Sequence, residues 1–206
     1  MPAKSNETTL LICPSGKSAW DEAARLQGAA DMPLTEKGMK EIRDQVNQLP
    51  TGLKIGVVYT SPDEGSLQTA EILVEHFGGR LKTLDDLREM DLGLWEGSLE
   101  DDLCDRFTKA YRLWKEDPAA VTPAEGESLL EVQNRLLRAI SRISEKAARN
   151  RPAVVLRPII RGLFYCLLEK VDTSHLRKIL QEHPLIEQVT FNAGDLGKSP
   201  EEVTTR

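Results

Sequence analysis

Thr9-Leu-Leu-Ile-Cys-Pro-Ser-Gly-Lys-Ser18 is a short apolar run that stops at Pro14 and Gly16. Such a run bounded by turn formers reads as a buried strand running into a loop. The same pattern recurs downstream: Ile55–Tyr59 and Ala153–Leu156 are further apolar runs, Leu81–Leu84 reads as a short edge strand, and Gln188–Phe191 as a last strand. Between them the apolar spacing is helical. Thr35 can N-cap a helix to about Leu49, with Met39, Ile42, Val46 and Leu49 on one face, before Pro50-Thr-Gly52 breaks it. Ser61-Pro62 opens the next helix, whose apolar side is Leu67, Ala70, Ile72, Leu73 and Phe77 and which Gly78-Gly79 ends. Ser128-Leu-Leu-Glu131 has the spacing of a capping box. It starts the longest helix, to about Arg149, with Leu129, Val132, Leu136, Ala139, Ile143 and Ala147 as its buried stripe. Ile159–Glu169 and the region from His175 to Leu180 read as further helices.

Strands alternating with helices imply an α/β fold, a three-layer α/β/α sandwich around a mostly parallel central sheet. In such sheets ligands bind beyond the C-terminal ends of the strands. The loops after Ile12, Tyr59 and Val155 are therefore expected to converge. No repeat or linker divides the chain, so residues 1–206 read as one domain. The less periodic stretch from Leu87 to about Pro123 carries Trp95, Phe107, Tyr111 and Trp114 and is expected to form short helices, including an insertion over about residues 98–123. The polar tail from about Gly194 is expected to be mobile.

Composition narrows the function classes. Of 206 residues, 40% are hydrophobic and 29% charged, with net charge −6 and no basic stripe of the kind nucleic-acid binding needs. No apolar stretch approaches a membrane span, and the first eight residues lack the apolar core of a signal peptide. Cys13, Cys104 and Cys166 are odd in number and widely spaced, which suggests free thiols in a reducing cytoplasm. Neither a metal nor a cofactor is implied.

Four further segments resemble the histidine phosphatase superfamily, also called phosphoglycerate mutase-like proteins. They are Trp20–Gly28 with Pro33–Gly38, Tyr59-Thr-Ser-Pro62 with Gln68-Thr-Ala-Glu71, Leu87-Arg-Glu-Met-Asp-Leu-Gly-Leu-Trp-Glu-Gly97, and Gly126-Glu-Ser128. Their order and spacing extend the likeness over residues 9–192. The resemblance implies a nucleophilic histidine in the first loop that becomes phosphohistidine. It also implies two arginines and a second histidine that hold the phosphoryl oxygens, and a carboxylic acid that protonates the leaving oxygen.

This chain departs from that set. Cys13 stands at the first arginine, Pro14 at the nucleophile, Asp21 at an asparagine, Gly65 at the second arginine, and Arg157 at the second histidine, followed by Pro158 where the glycine pair is disturbed. Only Glu89, the acid position, is retained. No histidine occurs between Met1 and Gly65, so the absence does not depend on alignment. Losing the nucleophile of a coupled catalytic set removes about a millionfold of rate. The reading is a catalytically inactive relative, a pseudophosphatase that binds a partner protein or a small anionic ligand or serves as a scaffold. The alternative is a divergent hydrolase using Cys13 or Ser15 as nucleophile and Glu89 as acid; a third is a binding module whose working surface lies around Trp95 to Trp114. In the degenerate pocket, Arg157 and Lys17 either form a new anion site or pair with Glu89 and Asp21; internal pairing is the expectation.

Two rival motifs fail in the same loop. Gly16-Lys-Ser18 resembles the end of a P-loop, but Leu11 occupies the position of its first glycine. A cysteine phosphatase built on Cys13 would need arginine where Ala19 stands. Cys13 is read as a core residue at a strand end, unless Lys17 or a helix N-terminus lowers its pKa.

Overall fold

In a computed structural model of the chain, residues 7–197 are described. The first strand sets the layers. Alternation along β1 (Glu7–Pro14) sends Leu10 and Ile12 into one apolar cluster and Leu11 and Cys13 into another, so both faces of the strand are buried. The chain then forms α1 (Ala19–Glu22), α2 (Glu36–Asn47), β2 (Val57–Thr60), α3 (Glu64–Phe77) and β3 (Arg80–Thr83). It continues through α4 (Glu100–Arg106), α5 (Thr108–Glu116), α6 (Leu129–Ser144), α7 (Ala147–Asn150), β4 (Pro152–Leu156), α8 (Pro158–Glu169), α9 (Leu176–Glu182) and β5 (Glu187–Asn192).

The strand order is β3-β2-β4-β1-β5, with β5 antiparallel to β1 and the other pairs parallel. Ile42 and Val46 of α2 and Ala70, Ile72 and Leu73 of α3 cover one face. The stripe of α6 (Leu129, Val132, Leu136, Ala139, Ile143) and Ile160, Leu163 and Phe164 of α8 cover the other. Each such side chain contributes about 1.5–3 kcal/mol when fully buried. Tyr111 and Trp114 of α5 pack inward on Trp95 of the preceding loop, which meets Tyr111 edge-on at 5.5 Å and Trp114 at 5.8 Å.

Helix ends follow side-chain chemistry. Thr35 accepts from Gly38 N at 2.9 Å, and the Ser128–Glu131 capping box forms in both directions. The expected opening of α3 shifts, because Asp63 is the N-cap and accepts from Ser66 N at 3.0 Å, leaving Pro62 outside the helix. Gly78 ends α3 at φ +74°, a left-handed conformation that suits glycine. The longest helix stops at Ser144, and α7 follows after a non-helical Lys146. Residues 194–197 form a turn that packs Leu196 against the core; the tail beyond lies outside the described residues.

Candidate functional site

The loops after β1, β2 and β4 meet at the C-terminal edge of the sheet, as the alternation of elements requires. Pro14 is buried opposite Leu156 of β4, and Ser15 N donates to Leu156 O at 3.0 Å. Gly16 N donates to Thr69 Oγ1 at 3.0 Å, and the same hydroxyl donates to Gly65 O at 2.8 Å, tying the loop to α3. Ser18 caps α1 with Asp21, whose carboxylate accepts from Ser18 N at 2.8 Å, and Ser18 Oγ donates to Gln27 at 2.5 Å. Asp21 is thereby a capping residue.

Cys13 does not reach the cleft. It is fully buried among Leu11, Ile42 and Val155, and its thiol donates to Pro14 O at 3.3 Å. Burial pushes the thiol up to about 12 against the pull of Arg161, so the thiolate that attack requires is not formed. Ser15 is half-buried, and its hydroxyl donates to Gly16 O at 3.1 Å. Lys17 points outward to Glu41 at 3.4 Å with more than half its side chain exposed, which corrects the expectation that it pairs with Glu89 or Asp21.

Arg157 is the N-cap of α8 and only 4% exposed, with Pro158 in the first turn. Its Nη1 lies 3.7 Å from Asp63 Oδ1. Arg157 thus stands beside Asp63, and its charge also lowers the pKa of the Glu89 carboxyl, as the expected pairing requires. Its buried Nε has no hydrogen-bond partner among the described residues. Asp63 also accepts from Ser61 Oγ and Ser66 N, which orients it. At Gly65, a Cβ would stand 2.8 Å from Met32 O and 3.3 Å from Leu34 Cδ2. That covering loop is fixed by Leu34 N to Gln68 Oε1 and Glu64 N to Asp31 Oδ1, both 2.7 Å. An arginine cannot leave the backbone at Gly65 without displacing it.

Glu89 is 4% exposed and its carboxylate accepts three backbone N–H groups: Met90 at 2.8 Å, Ile159 at 2.7 Å and Ile160 at 3.0 Å. Two of these belong to the first turn of α8, where an acceptor satisfies otherwise unpaired donors. Burial pushes its carboxyl up from the ordinary range, opposed by Arg157 and the three N–H groups. Behind it, Arg135 of α6 donates to the carbonyls of Asp86 at 3.2 Å, Glu89 at 3.0 Å and Arg88, and holds Glu127 by two bonds of 2.8 Å.

The resulting cleft, about 270 Å³, has Leu26, Leu92, Trp114 and Leu176 among its apolar walls. Its charged border is balanced, with Arg25, Arg157 and Arg177 against Asp21, Glu89 and Glu100. Arg25 donates to Gly97 O at 2.6 Å, and Arg177 stands 3.6 Å from Glu100. A neighbouring cavity of about 370 Å³ is bordered by Pro14, Ser15, Lys17, Pro158 and Arg161. His76, His175 and His183 border neither. Among the described residues no group of three or more His, Cys, Asp or Glu can hold a metal, and no helix is long and apolar enough to cross a membrane.

Of the residues singled out in the sequence, Pro14, Ser15 and Lys17 border one cavity, Glu89 and Arg157 border the other, Asp21 and Pro158 border both, and Cys13 lies in the core. The sequence reading gave no partner role to Asp63, Arg135 or the Met32–Leu34 covering loop. Asp63 had a local signal, an aspartate three residues before Ser66 at the start of an apolar-periodic run. Arg135 had none for its hold on the loop, because the carbonyls that it binds lie more than forty residues away; only Glu127 is near in sequence.

Comparison with known proteins agrees with this frame. The chain is 28% identical over 165 residues to phosphoserine phosphatase 1 of Hydrogenobacter thermophilus, covering 80% of this chain and 78% of that protein. It is 28% identical over 159 residues to phosphoglycerate mutase-like protein 4 of Arabidopsis thaliana, covering 75% and 69%. The solved structure of Bacillus stearothermophilus YhfR superposes with a TM-score of 0.73 at 27% identity, covering 82% of this chain and 83% of that one. The sequence profile described as histidine phosphatase superfamily (branch 1) matches residues 11–197. The chain belongs to the histidine phosphatase superfamily, branch 1.

Proposed function

We propose that this protein is a non-catalytic member of its superfamily, a pseudophosphatase that acts by binding a partner segment in the remodelled cleft or as a scaffold. One observation carries the reading: the positions that hold and transfer phosphate in the family pattern are closed or turned toward other groups of this chain. Pro14 has no ionisable group, Gly65 lies beneath Met32 O, Arg157 faces Asp63, and Glu89 is bound to backbone amides. A phosphomonoester carries up to two negative charges, and the balanced border offers it no excess of cations. Apolar walls around Trp114 and Leu176 suit a partner side chain better than a small anion, which shifts the weight from an anionic ligand to a protein partner.

A second reading, a divergent phosphatase, is favoured by the names of the relatives. Its nucleophile would be Ser15, which borders a cavity, rather than the buried Cys13, and its acid Glu89. The test is turnover of p-nitrophenyl phosphate and phosphoserine by the intact chain, with Ser15→Ala and Glu89→Gln as controls. The expected rate equals the buffer background in all three proteins. Turnover that disappears in both variants would overturn the first reading and establish the second.

A further inference from the structure

His183 lies in the turn between α9 and β5, and both of its ring nitrogens meet carboxylates. Nδ1 is 2.6 Å from Glu187 Oε1 and Nε2 is 2.7 Å from Glu169 Oε1. A neutral imidazole has one N–H and one lone pair, so it can donate to only one of these and must turn a lone pair toward the other. The doubly protonated ring satisfies both. Its plane lies 7° from that of Tyr165 at a centroid distance of 4.0 Å. The Tyr165 hydroxyl donates to the same Glu187 oxygen at 2.7 Å, and Arg161 Nη1 donates to His183 O at 2.6 Å. The groups that face the ring are thus Arg161, Tyr165 and Glu169 from α8 and Glu187 from β5.

What hangs on this contact is α9. Leu176, Arg177 and Leu180 of that helix border the cleft, and Leu176 and Ile179 are buried against the core. We propose that His183 is a proton-operated latch: as an imidazolium it fastens the C-terminal end of α9 to α8 and β5, and its deprotonation loosens a wall of the cleft. The two carboxylates sit on opposite edges of the ring, so the arrangement serves charge and not metal binding. Burial opposes the charged ring, but the hydrogen bonds and charges of Glu169 and Glu187 outweigh it and raise its pKa. A histidine raised on folding contributes stability that is complete below its unfolded pKa and is lost as pH rises through the folded one. The latch is therefore closed in mild acid and opens on the alkaline side of the ordinary histidine range. The inference stands on the contacts of α9 and does not depend on whether the cleft turns over phosphoesters.

The test is an NMR titration of the three histidine rings between about pH 5 and 9, with hydrogen exchange of the amides of residues 176–182 followed in parallel. The expected result is that His183 titrates above the ordinary histidine value of about 6.5. Exchange protection in α9, corrected for intrinsic rates, should fall through the same titration by about tenfold per unit of elevation. In His183→Gln that fall disappears; Glu169→Gln, which keeps the ring, moves it to lower pH. Titration of His183 at or below the ordinary value overturns the proposal, as does α9 protection that stays constant while His183 titrates.

Discussion

The loop after β1 and the loop from Asp85 to Gly97 border neighbouring cavities at one edge of the sheet, yet they are fixed by different means. The first is held mainly by neutral groups, Ser15 N on Leu156 O, Gly16 N on Thr69 Oγ1 and Ser18 Oγ on Gln27, with one carboxylate, Asp21, on Ser18 N. The second is held by charges: Arg135 binds the carbonyls of Asp86, Arg88 and Glu89, Glu89 binds the amides of α8, and Glu96 accepts from Ala29 N at 2.7 Å. In the family pattern the first loop carries the reactive charges, and here it carries none that face the cleft. In the second loop Glu89 and Glu96 serve the backbone. Two loops at one sheet edge are thus ordered to a similar degree, one chiefly by neutral bonds and the other by charged ones.

Several substitutions would break or sharpen that contrast. Arg135→Ala removes the clamp on the charged loop and leaves Glu127 without its cation; the expected loss is about 3–5 kcal/mol, read from urea unfolding. A loss under about 1 kcal/mol would mean that the second loop is not held by charge at all. Glu89→Ala strips three buried N–H groups of their acceptor, with an expected loss of about 2–3 kcal/mol. Glu89→Gln keeps one acceptor oxygen and should lose less; equal losses would contradict the capping role. Gly65→Ala pushes a methyl against Met32 O and should cost about 1–3 kcal/mol, with the Met32–Leu34 segment displaced in a crystal structure. Ser15→Ala touches only a bond to the adjacent carbonyl, so its thermal unfolding should shift by no more than about 0.5 kcal/mol.

The fold was legible where periodicity and capping agree. The runs at Thr9–Cys13 and Ala153–Leu156, the Thr35 cap and the Ser128–Glu131 box each announced an element found near the same bounds. Boundaries failed where a side chain competed for the cap: Asp63 displaced Ser61-Pro62 because its carboxylate reaches Ser66 N. At the site, the missing histidine was legible as a bare absence, but the fate of the remaining charges was not. Arg157 and Glu89 both find partners through tertiary contacts, which single-sequence spacing cannot supply. Lys17 was misplaced for the same reason, since α2 brings Glu41 beside it on the outer side of the loop.

The most direct test is calorimetric titration of orthophosphate into the intact protein at neutral pH and low ionic strength, where surface screening is weakest. If Arg157 stays on Asp63 and the border carboxylates offset Arg25 and Arg177, no saturable heat is expected beyond dilution. A one-to-one binding isotherm that vanishes in Arg157→Gln would contradict it, because the guanidinium would then be serving a phosphate and not the carboxylate beside it.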